Sequence, residues 1–374
     1  MRYQHQWHDV KPDEVPADGQ ANLEATIHRA LELGINHIET ARGYGSSEMQ
    51  LGWVLPKLDR DRLIVQTKVV PAATPQEFLE TFERSMSYLG LDHVDLLSFH
   101  GVNDATLLDQ VLRPGGCLEV ARKLQKDGRV RFVGFSTHAP CSVIVSAIES
   151  GEFDYVNLHW YFVNHLNWLA VEAANRQDMG VFIISPSDKG GMLYKPSELL
   201  ADLCQPLTPM QFNDLYCLAR PEVHTLSIGA ARPTDFDEHV ACLEHYDRIA
   251  ETIKPVENRI RGAMERCVGA DWLNRWSEGV PEYDQVPGEI NVLEILRLWT
   301  YARSLHLETW ARMRYNLLGH ANHWFPGANA STVDDQALAP ALAHSPFADR
   351  IPNILREAHI LLFGEPQKRQ SEGG

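Results

Sequence analysis

Seven short apolar or β-branched runs alternate with helical patterns through the first 245 residues, and this alternation constrains the fold more than any other feature of the chain. The runs are Ile35 to Thr40, Leu63 to Lys68, Val94 to His100, Val130 to Ser136, Tyr155 to His159, Val181 to Ser185 and Thr225 to Gly229. Thr74-Pro75-Gln76-Glu77 has the form of a capping box, and Phe78, Phe82, Met86 and Leu89 follow as an inward stripe that Gly90 ends. Thr208-Pro209 starts another helix. Gly34, Gly128, Gly151 and Gly180 stand where a left-handed residue closes a helix before the next strand. No GxGxxG turn follows the first strand, so an eight-stranded (β/α)8 barrel fits better than an open doubly wound sheet.

The 374 residues exceed one barrel, and the pattern changes after about residue 250. Amphipathic stretches such as Glu294 to Tyr301 and Thr309 to Leu318 are joined there by Pro/Gly-rich turns. The expected organisation is a barrel over residues 1–250, a helical domain over 251–366 and a disordered tail over 367–374.

A formal charge of -16 opposes nucleic acid and anionic lipid as general partners. No apolar run approaches the roughly 20 residues of a bilayer crossing, and the polar start lacks a secretory signal, so no membrane association and a cytoplasmic location are expected. The six cysteines form no CxxC pair, which points to reduced thiols rather than a zinc site or disulfides. The pattern specifies no oligomeric state.

Four chemically able side chains fall at or just past the carboxyl ends of three consecutive strands: Glu39 and Tyr44, then Lys68, then His100. Each alone has an ordinary explanation as a surface or packing residue. In a barrel, however, those strand ends converge on one mouth. A phenol titrates near pH 10, so an adjacent ammonium is needed to make it a useful acid at neutrality. Lys68 can supply that charge, Glu39 can hold the lysine, and His100 can hydrogen-bond a substrate oxygen.

The segment HIETARGYGSSEMQLG (His37 to Gly52), then VQTKVV, VDLLSFHG and VRFVGFSTH, resembles the aldo-keto reductases motif by motif over roughly residues 5 to 245. That resemblance implies reduction of a small-molecule carbonyl by NADPH, with an aspartate, tyrosine, lysine and histidine in the site. The tyrosine falls on Tyr44, the lysine on Lys68, the histidine on His100 and the aspartate on Glu39, which is one methylene longer. For the cofactor, the resemblance implies Ser136 and Asn157 at the carboxamide, Ser185 at a strand end beside the nicotinamide, and Lys189, Gly190 and Gly191 in a pyrophosphate loop. The segment LSIGAARPTDFDEH resembles the last strand and its adenosine-binding helix start; Arg232 is its only lysine or arginine, so NADP(H) over NAD(H) rests on it.

Two departures accompany the resemblance. Relatives open with a strand and a glycine-rich turn, whereas MRYQHQW stands about where that strand should end; the first barrel strand is expected to be missing, and the native start to lie upstream of Met1. The tail, from GAMERCVGADW to GHANHWFPGANAS, resembles a ferredoxin-like helical domain, yet only Cys267 is present, so no iron-sulfur cluster is expected. His320 and His323 lack further ligands, and no metal site is assigned to them. The leading expectation is a carbonyl reductase with Tyr44 as general acid. The alternatives are a cofactor-binding regulatory or redox-sensing protein with little turnover and, further off, an isomerase or lyase using the same mouth.

Overall fold

The computed structural model describes residues 4–321 and 324–364; the tail expected at 367–374 and His323 of the histidine pair lie outside them. Within the described residues the chain divides into two compact units. The first comprises residues 1–160, 166–186 and 220–243, and the second residues 161–165, 187–219 and 244–374. The second unit thus includes residues 187–219, which precede the last strand in the sequence.

The first unit is built on seven parallel strands in sequence order: β1 (His37–Glu39), β2 (Ile64–Val69), β3 (Val94–His100), β4 (Val130–Ser136), β5 (Tyr155–Leu158), β6 (Gly180–Ile184) and β7 (Thr225–Ser227). All seven fall on the runs read from the sequence, because strands covered on both faces are written as nearly continuous apolar residues. The expected gap is present: among the described residues no strand precedes His37, and no backbone ladder joins β1 to β7.

Side-chain contacts show that the sheet curls onto itself. In a flat sheet β2 and β5 would lie about 14 Å apart and β1 and β7 about 29 Å apart, at the usual strand spacing. Instead Gln66 of β2 donates to Asn157 of β5 at 2.9 Å, and Ser227 of β7 donates to Glu39 of β1 at 2.6 Å. The His37 and Phe182 rings, on β1 and β6, meet edge to face at 5.5 Å. The architecture is therefore an incomplete (β/α)8 barrel followed by helices.

Helix Ala17–Glu32 packs beside the open edge: Ala30 forms an apolar cluster with Ala230 and Phe236, and Asn22 donates to the Ala231 carbonyl at 2.7 Å. Gly134 shapes the interior, since a Cβ there would lie 2.4 Å from the Tyr155 carbonyl and 2.7 Å from its ring. That bare spot on β4 lets the Tyr155 ring lie along the sheet, where it stacks on Phe182 at 5.1 Å.

The helix expected after Thr74 spans Pro75–Leu89 and carries the full capping box, with Phe78, Phe82, Met86 and Leu89 buried and Gly90 left-handed at φ 64°. The helix after Thr208-Pro209 spans Pro209–Leu218 and is capped in the same way. Gly34, Gly128 and Gly151 have the expected positive φ. Gly180 does not: it opens β6, and the left-handed residue is Asp178 at φ 55°. A short polar side chain can adopt that conformation, so the turn closes two residues early.

The second unit contains Val292–Leu305, Glu308–Tyr315 and Ile351–Leu362 among its helices; the first two fall on the stretches read as amphipathic, but Val292–Leu305 is buried around nearly its whole circumference rather than on one face. Arg297 is buried inside it, paired with Glu294 and donating to the Val163 carbonyl at 2.9 Å. All six cysteines are free thiols, and burial pushes Cys204 up to about 12. Among the described residues no helix is long and apolar enough to cross a membrane.

Candidate active site

Glu39, Tyr44, Lys68 and His100 come together at the carboxyl ends of β1 to β3. Lys68 is buried, with 1% of its surface exposed. An ammonium so placed needs hydrogen-bond partners for its three protons. It has three: the Glu39 carboxylate, the Thr40 carbonyl at 3.3 Å and the Tyr44 hydroxyl at 3.5 Å. Its nitrogen also lies 5.0 Å from the centre of the Tyr44 ring.

Burial would raise the Glu39 carboxyl, but the charge and hydrogen bond of Lys68, and then the Ser227 hydroxyl, outweigh it and bring the group down to about 2. Burial likewise works to lower Lys68, but the Glu39 carboxylate and then the Tyr44 hydroxyl together more than offset it, so the lysine is raised above its ordinary value. Both directions agree on one ionised pair. The longer glutamate therefore reaches the lysine, although the resemblance implies an aspartate there.

Tyr44 is fixed from two sides. Its ring meets His100 edge to face at 5.5 Å and 87°, and meets Trp7 edge to face at 5.8 Å. Residues 5–7 are laid across the Tyr44 loop by hydrogen bonds: Ser46 donates its backbone N–H to the Gln6 carbonyl at 3.1 Å, and the His5 N–H goes to Gln50 at 2.8 Å. Gly45, at φ 55°, makes this approach possible, because a Cβ there would sit 2.2 Å from the Gln6 oxygen. Arg42 ties the loop down through Asp9 and through Glu48 at 2.6 Å.

The parallel register sets His100, Ser136 and Asn157 side by side on β3, β4 and β5. Ser136 accepts the Gly101 N–H at 3.2 Å, and no acceptor takes its own hydroxyl proton among the described residues. Asn157 is fully buried and its oxygen accepts from Gln66 and Ser98, while its Nδ2 has no partner. Two free donors thus stand on neighbouring strands beside His100.

Ser185 lies one residue past β6 with φ 52°, a left-handed value unusual for serine. Arg232 is largely exposed, and its Nε pairs with Asp235 at 2.9 Å. Lys189, Gly190 and Gly191 belong to the second unit. There the Lys189 nitrogen lies 6.0 Å from the Trp324 ring centre, and Gly191 has φ 124°.

Sequence reasoning missed a polar chain inside the barrel. His37 donates through Nε2 to Gln66 at 2.9 Å, Gln66 donates to Ser98 at 2.9 Å, and Ser98 lies 2.8 Å from the Tyr155 hydroxyl. Burial lowers His37 and raises Tyr155, so both are neutral members of this chain. It also missed Ser227, which lies in the run Thr225 to Gly229 but was not singled out there. The available signal was parity, since residue 227 shares a strand face with Thr225.

A cavity of about 600 Å³ lies at the opposite, amino-terminal ends of the strands, lined by Arg60, Arg62, His93, Asp95 and Arg131 among others. None of the four convergent residues borders it. In this architecture that end is associated with stability and the carboxyl end with chemistry.

The aldo/keto reductase family model matches residues 5–254. L-galactose dehydrogenase of Arabidopsis thaliana is 25% identical over 268 residues, which cover 62% of this chain and 82% of that protein. NADH-specific methylglyoxal reductase of Escherichia coli (strain K12) is 26% identical over 152 residues, 35% of this chain and 45% of its own length. Among solved structures, an aldo-keto reductase from Klebsiella pneumoniae in complex with NADPH superposes with a TM-score of 0.53 at 18% identity, over 65% of this chain and 86% of that one. The holo form of an aldo-keto reductase from Bacillus halodurans gives 0.56 at 20% identity, over 64% and 87%. At these identities the structures speak for the fold alone; the family match spans most of the chain, and the protein belongs to the aldo/keto reductase family.

Proposed function

We propose that this oxidoreductase reduces an aldehyde or ketone to an alcohol, with NAD(P)H as reductant and Tyr44 as general acid. The observation that carries the reading is the Lys68 ammonium, held by Glu39 and 3.5 Å from the Tyr44 oxygen. The reduced nicotinamide, when bound, supplies the hydride that reaches the carbonyl carbon. Tyr44 gives its proton to the carbonyl oxygen as negative charge builds there. Lys68 stabilises the charge then left on the phenol oxygen, and the burial of the lysine strengthens that interaction. His100, edge-on to Tyr44, hydrogen-bonds the same substrate oxygen and orients it.

The residues present suit a nicotinamide. The unpartnered Asn157 Nδ2 and the Ser136 hydroxyl are donors of the kind that hold a carboxamide oxygen. Ser185 is assigned beside the same ring. Lys189, Gly190 and Gly191 are assigned to phosphate on their chemistry, an ammonium and a backbone free of side chains. Arg232 is assigned to a 2′-phosphate; its exposed pair with Asp235 is weak and exchanges readily, so NADPH is the favoured cofactor.

The test is direct. NADPH fluorescence measures binding, and loss of NADPH absorbance with a panel of aldehydes measures chemistry. Binding with consumption by at least one aldehyde is expected. Binding with no consumption by any carbonyl selects instead a cofactor-binding protein of little turnover, and conversion without cofactor selects an isomerase or lyase.

A further inference from the structure

Glu39, on the edge strand β1, has two hydrogen-bond donors among the described residues, one from the neighbouring strand β2 and one from β7, the other edge of the open barrel. Lys68 of β2 takes one carboxylate oxygen, and Ser227 of β7 donates to the other at 2.6 Å. We propose that Ser227 is a positioning residue: by fixing the second oxygen of Glu39 it holds Lys68 where the ammonium meets the Tyr44 hydroxyl.

The need arises from the glutamate itself. One extra carbon–carbon bond adds about 1.5 Å of reach and a further rotatable torsion. A carboxylate held only by the lysine can swing with it, carrying the ammonium away from the phenol. A hydroxyl-to-carboxylate bond is short and charge-assisted, stronger than a neutral one, and here it comes from a strand that shares no backbone ladder with β1. The side-chain bridge thus sets the distance between two edges that no strand pairing sets. A shorter carboxylate would withdraw from Ser227 while still facing Lys68, so the serine's role is tied to the glutamate. Besides Lys68, the titratable groups facing Glu39 are His37 and Tyr155, with Tyr44 beyond the lysine.

The inference rests on the reading of Tyr44 as the acid, and the test separates the two. The protein is compared with Ser227→Ala, Ser227→Thr, Glu39→Asp, the Glu39→Asp/Ser227→Ala pair and Tyr44→Phe. One readout needs no turnover: the carboxyl carbon of Glu39 is titrated by NMR without cofactor. Its midpoint should rise by about one pH unit in Ser227→Ala, since one charge-assisted bond is lost, and return in Ser227→Thr. The second readout is kcat for a reducible aldehyde. It should fall about tenfold in Ser227→Ala, with KM and NADPH Kd within about twofold, because only the charge developing in the transition state is affected. In the Glu39→Asp background, Ser227→Ala should change kcat by less than about twofold.

An unchanged midpoint in Ser227→Ala, or an equal loss of kcat in both backgrounds, overturns the proposal. If Ser227→Ala does not fold, Ser227→Cys, close in volume and a weak donor, is read by the same two criteria. Turnover insensitive to Tyr44→Phe overturns the acid assignment instead, and leaves the titration of Glu39 to decide the role of Ser227.

Discussion

The hydroxyl of Tyr44 lies 3.5 Å from the ammonium of Lys68, a lysine with 1% of its surface exposed. A buried lysine held only for structure is served by acceptors such as the Glu39 carboxylate and the Thr40 carbonyl; here its third proton faces a phenol oxygen.

Removing the cation is therefore expected to cost twice. Lys68→Met keeps the shape of the stem but leaves Glu39 as a buried charge without its partner, which destabilises by about 3–5 kcal/mol. Urea unfolding measures that loss. Turnover should fall by about 10² or more in the fraction that remains folded, because both the acid and its stabilising charge are affected.

Acid should undo the same pair from the other side. An unfolded glutamate titrates near 4.3, roughly the unperturbed value, whereas Glu39 in the fold is lowered to about 2. Its contribution, on the order of 3 kcal/mol, is thus fully present above the unfolded value and lost as pH falls through the folded one. Unfolding free energies measured between pH 6 and pH 2 should fall more steeply for the native protein than for Glu39→Gln, which has no carboxyl to protonate. Parallel curves would remove Glu39 from the account.

The cofactor assignment is tested at β4. Ser136→Ala deletes a hydroxyl whose proton is free and which accepts the Gly101 N–H. One hydrogen bond to a bound carboxamide is worth about 1 kcal/mol, so NADPH Kd should rise about fivefold in a fluorescence titration. An unchanged Kd would move the carboxamide elsewhere.

A change far from the mouth calibrates these effects. Thr74→Ala removes the side-chain acceptor at the start of the Pro75–Leu89 helix, where Thr74 takes the Glu77 N–H at 3.3 Å. A loss of about 1 kcal/mol in stability is expected with kcat unchanged.

These expectations reflect what the sequence could and could not express. The strands were legible because burial on both faces writes them as apolar runs, and the helix at Thr74 because caps are local chemistry. Glu39, Tyr44, Lys68 and His100 were legible because strand ends in a parallel barrel share one mouth. Gln66, Ser98 and Tyr155 were not: their partners sit on other strands, both neighbouring and non-neighbouring, and which interior side chains meet depends on stagger and closure rather than on local sequence. Ser227 was hidden for the same reason, since its partner is 188 residues away. At Gly180 the expectation failed because Asp178 accepted the left-handed position two residues earlier.

The most direct measurement follows an atom. With NADPH carrying deuterium at its reactive carbon and an aldehyde that the protein consumes, mass spectrometry of the alcohol should find one deuterium on the former carbonyl carbon, and Tyr44→Phe should bind NADPH with nearly native affinity yet form no product. An alcohol without deuterium, or a Tyr44→Phe variant that turns over like the native protein, would contradict the account.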